Sequence, residues 1–234
     1  MNLCIDEGNT ALKFALFEQN KILHSGTELG NLDTDEVEQI IISSVLSDSA
    51  AIAWCQQKGL SFHLLSSQSK LPFRLNYNTP ETLGNDRLAA IAGAMLHFPG
   101  QNNLVIVAGS CITYNFIESE NVFHGGAISP GIKMRFKALN HFTARLPLIS
   151  WEGIVPEQII GSDTNSSMTS GVVYGAISEI EGIIKRYEDR FANLNIILSG
   201  GDAPFLVSQL KNNIFARPEL LLEGLNHILN HNDN

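Results

Sequence analysis

The chain has 234 residues, of which 44% are hydrophobic and 17% are charged, and its formal net charge is −9. This composition provides material for a core, excludes intrinsic disorder, and argues against a surface that binds nucleic acid or an anionic membrane. The length fits one large domain or two small lobes.

The cellular location of the protein is indicated by targeting and membrane features that the sequence lacks. No apolar run reaches the ~18 residues that span a bilayer, and the first residues do not resemble a signal peptide. The three cysteines show no C-x-x-C spacing and are typical of reduced, packed thiols. We therefore expect a cytoplasmic protein with no membrane segment and no nucleic-acid partner.

A repeated segment organises the chain. NLCIDEGNTALKFALF begins at Asn2, and NLVIVAGSCITYNFIE begins at Asn103, which is 103 − 2 = 101 residues later. Each copy predicts two strands, and each continues through a polar turn into a third strand. Two copies indicate a duplicated α/β lobe rather than a solenoid.

Helices and strands alternate after each set of three strands. In the first half, EQIIISSVL and LSFHLLSS predict strands, and SAAIAWCQQKG and DRLAAIAGAMLHF predict helices. In the second half, helices are predicted over residues 131–146, over 166–191 and at PELLLEGLNHILNH, with a strand at NLNIILSGG. The pattern predicts two mixed-sheet lobes, 1–100 and 101–234, with a ligand site in the cleft between them.

Asp6 stands at the end of the first strand, directly before the turn Gly8-Asn9-Thr10. Backbone N–H groups and a hydroxyl in such a turn can bind phosphate oxygens, and Lys13 can neutralise their charge. Asp6 can hold Mg²⁺ or a water of its shell. The alternative is an Asx-turn in which Asp6 caps its own hairpin.

A second candidate lies in YNTPETLGNDRLAAIAGA, where Asp86 and Arg87 open a helix. Asp86 could accept a hydroxyl proton, and Arg87 could bind a carboxylate through two hydrogen bonds. The alternative is structural, because acidic residues are favoured at helix N-termini. Arg87 would then be an ordinary exposed charge.

Together these segments resemble the type III pantothenate kinases. D-x-G-N-T-x-x-K is matched from Asp6 to Lys13, and G-x-D-R is matched from Gly84 to Arg87, after Tyr77. The stretch from Gly125 to Gly131 matches G-G-x-I-x-P-G. Further matches, in order along the chain, are Asp163-Thr164, Ser170-Gly171 and Ser199-Gly200-Gly201-Asp202-Ala203.

The resemblance implies a duplicated actin-like (ribonuclease H-like) α/β fold with mixed sheets, as in the acetate and sugar kinases. It implies phosphorylation of pantothenate by ATP and Mg²⁺, the first step of coenzyme A biosynthesis, with Asp86 as proton acceptor. It also implies a homodimer, with the helix after Thr164 at the interface. The implied ATP-binding residues are Asp6, Glu7, Gly8, Asn9, Thr10, Ala11, Leu12, Lys13 and Ser110. The implied substrate-binding residues are Tyr77, Gly84, Asn85, Asp86, Arg87 and Thr164.

The second copy departs from the family pattern at three positions. Where the family has an aspartate that ligates K⁺ or NH₄⁺, this chain has Val107, and Ser110 and Asn115 replace a threonine and a further aspartate. We therefore expect a weak dependence on monovalent cations. Two alternatives to the pantothenate kinase stay open: a non-catalytic nucleotide-binding or regulatory relative, and another small-molecule kinase or phosphatase of the superfamily.

Overall fold

The computed structural model describes residues 1–232. These residues group into two compact units, each assembled from separate stretches of chain. The first unit comprises Met1–Asn103, Asn115–Gly125 and the C-terminal segment that begins at Glu219. The second comprises Leu104–Tyr114 and Gly126–Pro218.

A five-stranded mixed sheet forms the centre of the first unit, in the order β3-β2-β1-β4-β5. β1 pairs antiparallel with β2 and parallel with β4, and β2 pairs antiparallel with β3. The predicted meander of three antiparallel strands is therefore confirmed. The strands are β1 (Asn2–Glu7), β2 (Leu12–Glu18), β3 (Lys21–Gly26), β4 (Gln39–Ser44) and β5 (His63–Leu64).

The second sheet has six strands in the order β11-β10-β7-β8-β9-β6. Read from β9, its order β9-β8-β7-β10-β11 repeats the order β3-β2-β1-β4-β5 of the first sheet. The two sheets thus confirm the duplication that the repeat predicted. The remaining strands are β6 (Arg74–Leu75), β7 (Asn102–Ala108), β8 (Cys111–Glu118), β9 (Val122–Pro130), β10 (Leu194–Ser199) and β11 (Ile214–Ala216).

Within residues 1–232, six α-helices pack on these sheets. The longest, α4, runs from Thr164 to Glu188, whereas the sequence predicted this helix over 166–191. At its start, the Asp163 side chain accepts a hydrogen bond from the Ser166 backbone N–H, and the Asp163 backbone N–H donates to the Ser166 hydroxyl. This reciprocal capping fixes the start of the helix. The helices are α1 (Ala50–Lys58), α2 (Asn85–His97), α3 (Ile132–His141), α4 (Thr164–Glu188), α5 (Ala203–Val207) and α6 (Leu220–Asn232).

The helix predicted over 131–146 was too long, because α3 ends at His141. Beyond that point the side chains bond to the backbone instead of continuing the helix: Thr143 Oγ1 donates to the Leu139 carbonyl at 2.7 Å, and Asn140 Nδ2 donates to the Leu146 carbonyl at 2.8 Å. Such local bonds compete with helical hydrogen bonds. The chain from Phe142 onward therefore leaves the helix.

Helices α2 and α6 of the first unit lie unusually close together. A Cβ atom added to Gly224 would lie 1.8 Å from the Ala89 carbonyl oxygen, and one added to Gly93 would lie 2.3 Å from that of Leu220. Glycine at both positions lets the two backbones meet without side chains between them. This contact anchors α2, whose N-terminal residues are Asn85, Asp86 and Arg87.

Within residues 1–232, no helix combines the length and the apolar character that a bilayer span requires.

Candidate active site

The pairing of β1 with its two neighbouring strands brings the side chains of Asp6, Lys13 and Ser43 together. Asp6 is paired with Lys13 across the β1–β2 hairpin and with Ser43 on the parallel strand β4. Directly paired residues project to the same face of a sheet. Asp6 is thus a strand residue beside a cation and a hydroxyl, and the hairpin itself is closed by the Gly8 N–H, which donates to the Ala11 carbonyl at 3.0 Å.

The loop from Gly8 to Ala11 joins β1 to β2, and Asn9, Thr10 and Ala11 in it are exposed. Gly8 has no left-handed φ, and a Cβ atom there would meet only the Ala11 carbonyl oxygen, at 3.7 Å. The fold of this unit would therefore accept a larger residue at position 8. Leu12, at the start of β2, packs against the apolar core of the unit.

Glu7, one of the predicted ATP-binding residues, points its carboxylate toward helix α1. Oε1 accepts a hydrogen bond from the Ala50 backbone N–H at 2.8 Å, and Oε2 accepts from the Ser44 hydroxyl at 3.0 Å and from the Ser49 hydroxyl. Glu7 is 4% exposed. Its side chain thus joins β1 to the N-terminus of α1, where a negative charge is favoured.

The Gly84–Arg87 segment forms the start of α2. Gly84 is the N-cap, and a Cβ atom there would lie 2.5 Å from Asp86 Oδ1, so glycine leaves room for the carboxylate. Asp86 Oδ1 accepts from the Arg87 backbone N–H at 2.9 Å, and Asn85 Nδ2 donates to the Ser44 carbonyl at 3.3 Å. Asp86 therefore occupies the helix-terminal position that its structural interpretation predicted.

Arg87 is not an exposed charge: only 5% of it is accessible. Its guanidinium carbon lies 5.8 Å from the centre of the Tyr77 ring and 5.7 Å from that of Phe123. Its Nε donates to Asn115 Oδ1 at 2.5 Å. Its Nη2 is buried without a hydrogen-bond partner among the described residues. An unpaired charged donor is costly to bury, and an anion could satisfy it with a strong hydrogen bond.

Tyr77 is placed by the loop that carries it. Its ring stacks on Phe123 at a centroid distance of 6.3 Å, and a Cβ atom at Gly125 would lie 2.8 Å from the ring. Gly125 has a φ of 81°, which favours glycine independently. The glycine pair at Gly125-Gly126 therefore includes a position where the ring and the backbone both exclude a side chain.

The second unit holds the remaining predicted residues. Ser110 is exposed in the turn between β7 and β8, Val107 is partly exposed near the end of β7, and Thr164 is exposed at the start of α4. Gly131 packs against the turn, since a Cβ atom there would lie 2.0 Å from the Gly109 carbonyl oxygen. A Cβ atom at Gly109 itself would meet nothing within 4 Å.

Comparison with known proteins identifies the family of the chain. The family model described as type III pantothenate kinase matches residues 2–186. The chain belongs to the type III pantothenate kinase family.

Relatives named type III pantothenate kinase are similar in sequence to this chain over almost their whole length. The protein of Christiangramia forsetii is 43% identical over 99% of both chains. That of Bacteroides fragilis (strain YCH46) is 41% identical over 100% of this chain and 99% of its own. The resemblance seen in the motifs is thus confirmed along the full chain.

Solved structures support the fold. A Campylobacter jejuni protein, provisionally assigned as a Baf family transcriptional activator, has a TM-score of 0.65 at 23% identity and covers 99% of both chains. A protein provisionally named an N-acetylmannosamine kinase, from Listeria monocytogenes, has a TM-score of 0.59 at 12% identity, over 100% of this chain and 99% of its own. The predicted actin-like, mixed-sheet fold of the sugar kinases is confirmed.

Two carboxylates of the first unit influence one another electrostatically. Burial raises the pKa of Asp6 to about 6, and the negative charge of Asp86 adds to the rise, while the Ser43 hydroxyl and the Lys13 ammonium oppose it. Burial also raises the pKa of Asp86, against the effect of the Arg87 N–H and guanidinium. The charge of Asp86 thus acts on Asp6, as expected for like charges within a short distance of each other.

This arrangement fits the magnesium ion that the family implies. Mg²⁺ keeps several waters and is held by one or two carboxylates together with substrate phosphates. Among residues 1–232, no three histidine, cysteine or acidic side chains are grouped closely enough to hold a metal by themselves. Asp6 would therefore hold a nucleotide-bound Mg²⁺, which would neutralise phosphate charge and relieve the repulsion from Asp86.

Sequence reasoning overlooked two residues that the structure adds to this site. Ser43 follows a run of isoleucines and belongs to no family motif quoted above, yet it lies beside Asp6. Asn115 stood out only as a departure from the family pattern, yet its side chain holds Arg87. The usable signal in the sequence was an asparagine inside the apolar strand CITYNFIE, because a buried amide requires a polar partner, and in the structure Asn115 is fully buried.

We predict that Asp6→Asn stabilises the ligand-free protein. The folded-state pKa of about 6 exceeds the ordinary 3.8, so protonated Asp6 stabilises the fold at low pH, and this contribution is lost as the pH rises through 6. An asparagine carries no charge to desolvate. The melting temperature at pH 7.5, measured by calorimetry, should rise by a few degrees. The exposed Asp35→Asn is the control, and an Asp6→Asn variant that melts lower than wild type would contradict the prediction.

Proposed function

We propose that the protein transfers the γ-phosphate of ATP to the primary hydroxyl of pantothenate, yielding 4′-phosphopantothenate. The observation that carries this proposal is the buried Arg87, which directly follows Asp86 in the sequence. Its Nη2 has no hydrogen-bond partner among the described residues. Pantothenate has a carboxylate at one end and a primary alcohol at the other. A cation beside a candidate base suits such a molecule.

Arg87 is assigned to the pantothenate carboxylate. Leaving a charged donor buried and unpaired costs more than an ordinary missing hydrogen bond, and a carboxylate satisfies it with a strong, charge-assisted bond. The Asn115 bond and the rings of Tyr77 and Phe123 orient the guanidinium. Discrimination then follows from the site, because a substrate analogue without the carboxylate would leave this donor unpaired.

Asp86 is assigned as the group that accepts the hydroxyl proton. Its raised pKa makes it a better base than an exposed aspartate, and the Arg87 N–H and guanidinium limit that rise. Gly84 keeps the space next to its Oδ1 free of a side chain. The Arg87 backbone N–H holds that same oxygen in a fixed orientation.

The phosphates of ATP are assigned to two turns. In the first unit, the Gly8-Asn9-Thr10 turn offers backbone N–H groups, Lys13 offers charge, and Asp6 would hold the Mg²⁺. In the second unit, the Gly109-Ser110 turn is the equivalent of this hairpin. The fold has room for a Cβ atom at both Gly8 and Gly109, so packing within the protein does not require glycine there. The close approach of a ligand to the backbone would require it.

Phosphoryl transfer requires alignment and charge stabilisation more than covalent chemistry. Lys13 lowers the charge of the transferred group, Asp86 takes the alcohol proton, and Arg87 positions the acceptor. Because Asp6, Lys13, Asp86 and Arg87 are all present and the relatives carry the kinase name, a non-catalytic regulatory role is not favoured.

Replacing Asp86 with asparagine should lower kcat by at least ~10²-fold, because a positioned base is removed. The affinity for ATP should stay within a factor of two or so, since Asp86 faces the acceptor. Production of phosphopantothenate from ATP, Mg²⁺ and pantothenate measures the rate, and calorimetric titration measures ATP binding. Glu81→Gln, in the exposed loop before α2, is the control. Wild-type turnover in Asp86→Asn would return Asp86 to a capping role alone.

We also infer a homodimer formed through α4 and its surroundings. Gly171 and Gly175 lie one turn apart on α4, are exposed, and would meet nothing within 4 Å if given a Cβ atom. Phe142 is 81% exposed and Ile160 is 79% exposed. Together with an apolar hollow of about 900 Å³ between α3 and α4, this surface suits a second copy of the chain.

Gly175→Leu should convert the dimer to a monomer, because the new side chain is accepted within the chain but blocks a close approach by a partner helix. Sedimentation velocity at micromolar concentration measures the change. Gly30→Leu makes the same substitution at an open glycine of the first unit and should leave the dimer intact. A wild-type monomer with full activity, or an unchanged dimer in Gly175→Leu, would refute this interface.

The last expectation for the reaction concerns Val107. An isopropyl group cannot ligate a weakly hydrated cation, and it leaves an apolar surface where a desolvated ion is disfavoured. The initial rate should therefore change little with KCl in Tris buffer at constant ionic strength. Val107→Asp should introduce activation by K⁺. Saturable, many-fold activation of the wild type by K⁺ but not by Na⁺ would show that the cation is held without residue 107.

A further inference from the structure

We propose that Glu179 of α4 is a positioning residue for the nucleotide. It holds the end of β9, Ser129 and Pro130, and the following Gly131 against the Gly109-Ser110 turn, and through that contact it sets the geometry of the turn. The inference rests on the proposed function, in which this turn binds ATP phosphates. All the residues involved belong to the second unit.

Glu179 receives hydrogen bonds from three different elements. Its Oε1 accepts from the Ser129 hydroxyl at 2.5 Å and from the Tyr114 hydroxyl at 3.0 Å. Its Oε2 accepts from Arg135 Nη2 at 2.5 Å, in an ion pair whose side chains are 26% and 21% exposed. One carboxylate thus joins α4 to β8, to β9 and to α3.

Arg135 extends this network to the backbone of β9. Its Nε donates to the Pro130 carbonyl at 2.9 Å, while its Nη2 is held by Glu179. Because Ser129 is bound by the same carboxylate, two consecutive residues at the end of β9 are fixed by one acidic side chain. Without the carboxylate, Arg135 would lose the partner that orients it toward Pro130.

Gly131, which directly follows β9, is in backbone contact with the Gly109-Ser110 turn. The Gly131 N–H donates to the Ser110 carbonyl at 3.1 Å. A Cβ atom on Gly131 would lie 2.0 Å from the Gly109 carbonyl oxygen and 2.6 Å from that of Ser110. With no side chain between them, a shift of the β9 end must move the turn as well.

The charge state of this network suits a permanent structural role. Burial acts to raise the pKa of Glu179, but the bonds from Ser129 and Arg135 outweigh it and leave the pKa below its ordinary value. Burial and the charge of Glu179 raise the pKa of Tyr114, so the phenol remains a donor. The network is therefore fully formed at neutral pH.

The test is Glu179→Gln, which keeps the shape of the side chain and removes the charge that pairs with Arg135. Calorimetric titration with the magnesium complex of a non-hydrolysable ATP analogue should show at least ~10-fold weaker binding, because the turn is misplaced. KM for ATP should rise in parallel, while KM for pantothenate stays unchanged. Ser129→Ala, a smaller change, should show the same selective effect more weakly.

Glu181→Gln, two residues along the same helix, is the matched control and should bind the analogue like wild type. A Glu179→Gln variant that melts lower but keeps wild-type nucleotide affinity and KM for ATP would reduce Glu179 to a stabilising role and overturn the proposal. An equal rise of both KM values would do the same. If the wild type binds the analogue but does not phosphorylate pantothenate, the proposed function fails, and the titrations alone decide the role of Glu179.

Discussion

The register between β1 and β2 is the constraint on which the chemistry of the first unit depends. It pairs Asp6 with Lys13, and the parallel pairing with β4 adds Ser43. A slip of one residue would turn Asp6 into the core and expose Ile5, because successive side chains of a strand point to opposite faces. The apolar face made by Leu3 and Ile5 therefore fixes the direction in which Asp6 points.

Electrostatic cost is concentrated where the substrate is expected. Burial and the charge of Asp86 oppose the ionisation of Asp6, and Arg87 is buried with a donor that has no partner among the described residues. Each of these features lowers the stability of the protein. In the proposed function, a magnesium ion would relieve the first and a carboxylate would relieve the second. Such sites trade stability for binding and catalysis, which is common in enzymes.

The two copies of the repeated hairpin have diverged in what they stabilise. In the first, Asp6 carries charge at the end of the strand and Glu7 caps α1. In the second, Val107 is apolar. The turn after it packs against Gly131, and the neighbouring Ser129 is hydrogen-bonded to Glu179. The first turn is therefore flanked by charged side chains, whereas the second is supported by backbone contacts.

Local patterns in the sequence determined the duplication, the antiparallel meanders and most helices, because periodicity and turn residues act over a few positions. They also placed Asp6 next to the Gly8-Asn9-Thr10 turn. The motifs also located Asp86 and Arg87. Tertiary structure alone showed that Arg87 is buried against Asn115, that α6 packs on α2, and that Glu179 joins three elements, since these contacts link residues far apart in the chain. Local propensity also failed at Phe142, where side-chain bonds to the backbone ended a helix that the composition would have continued.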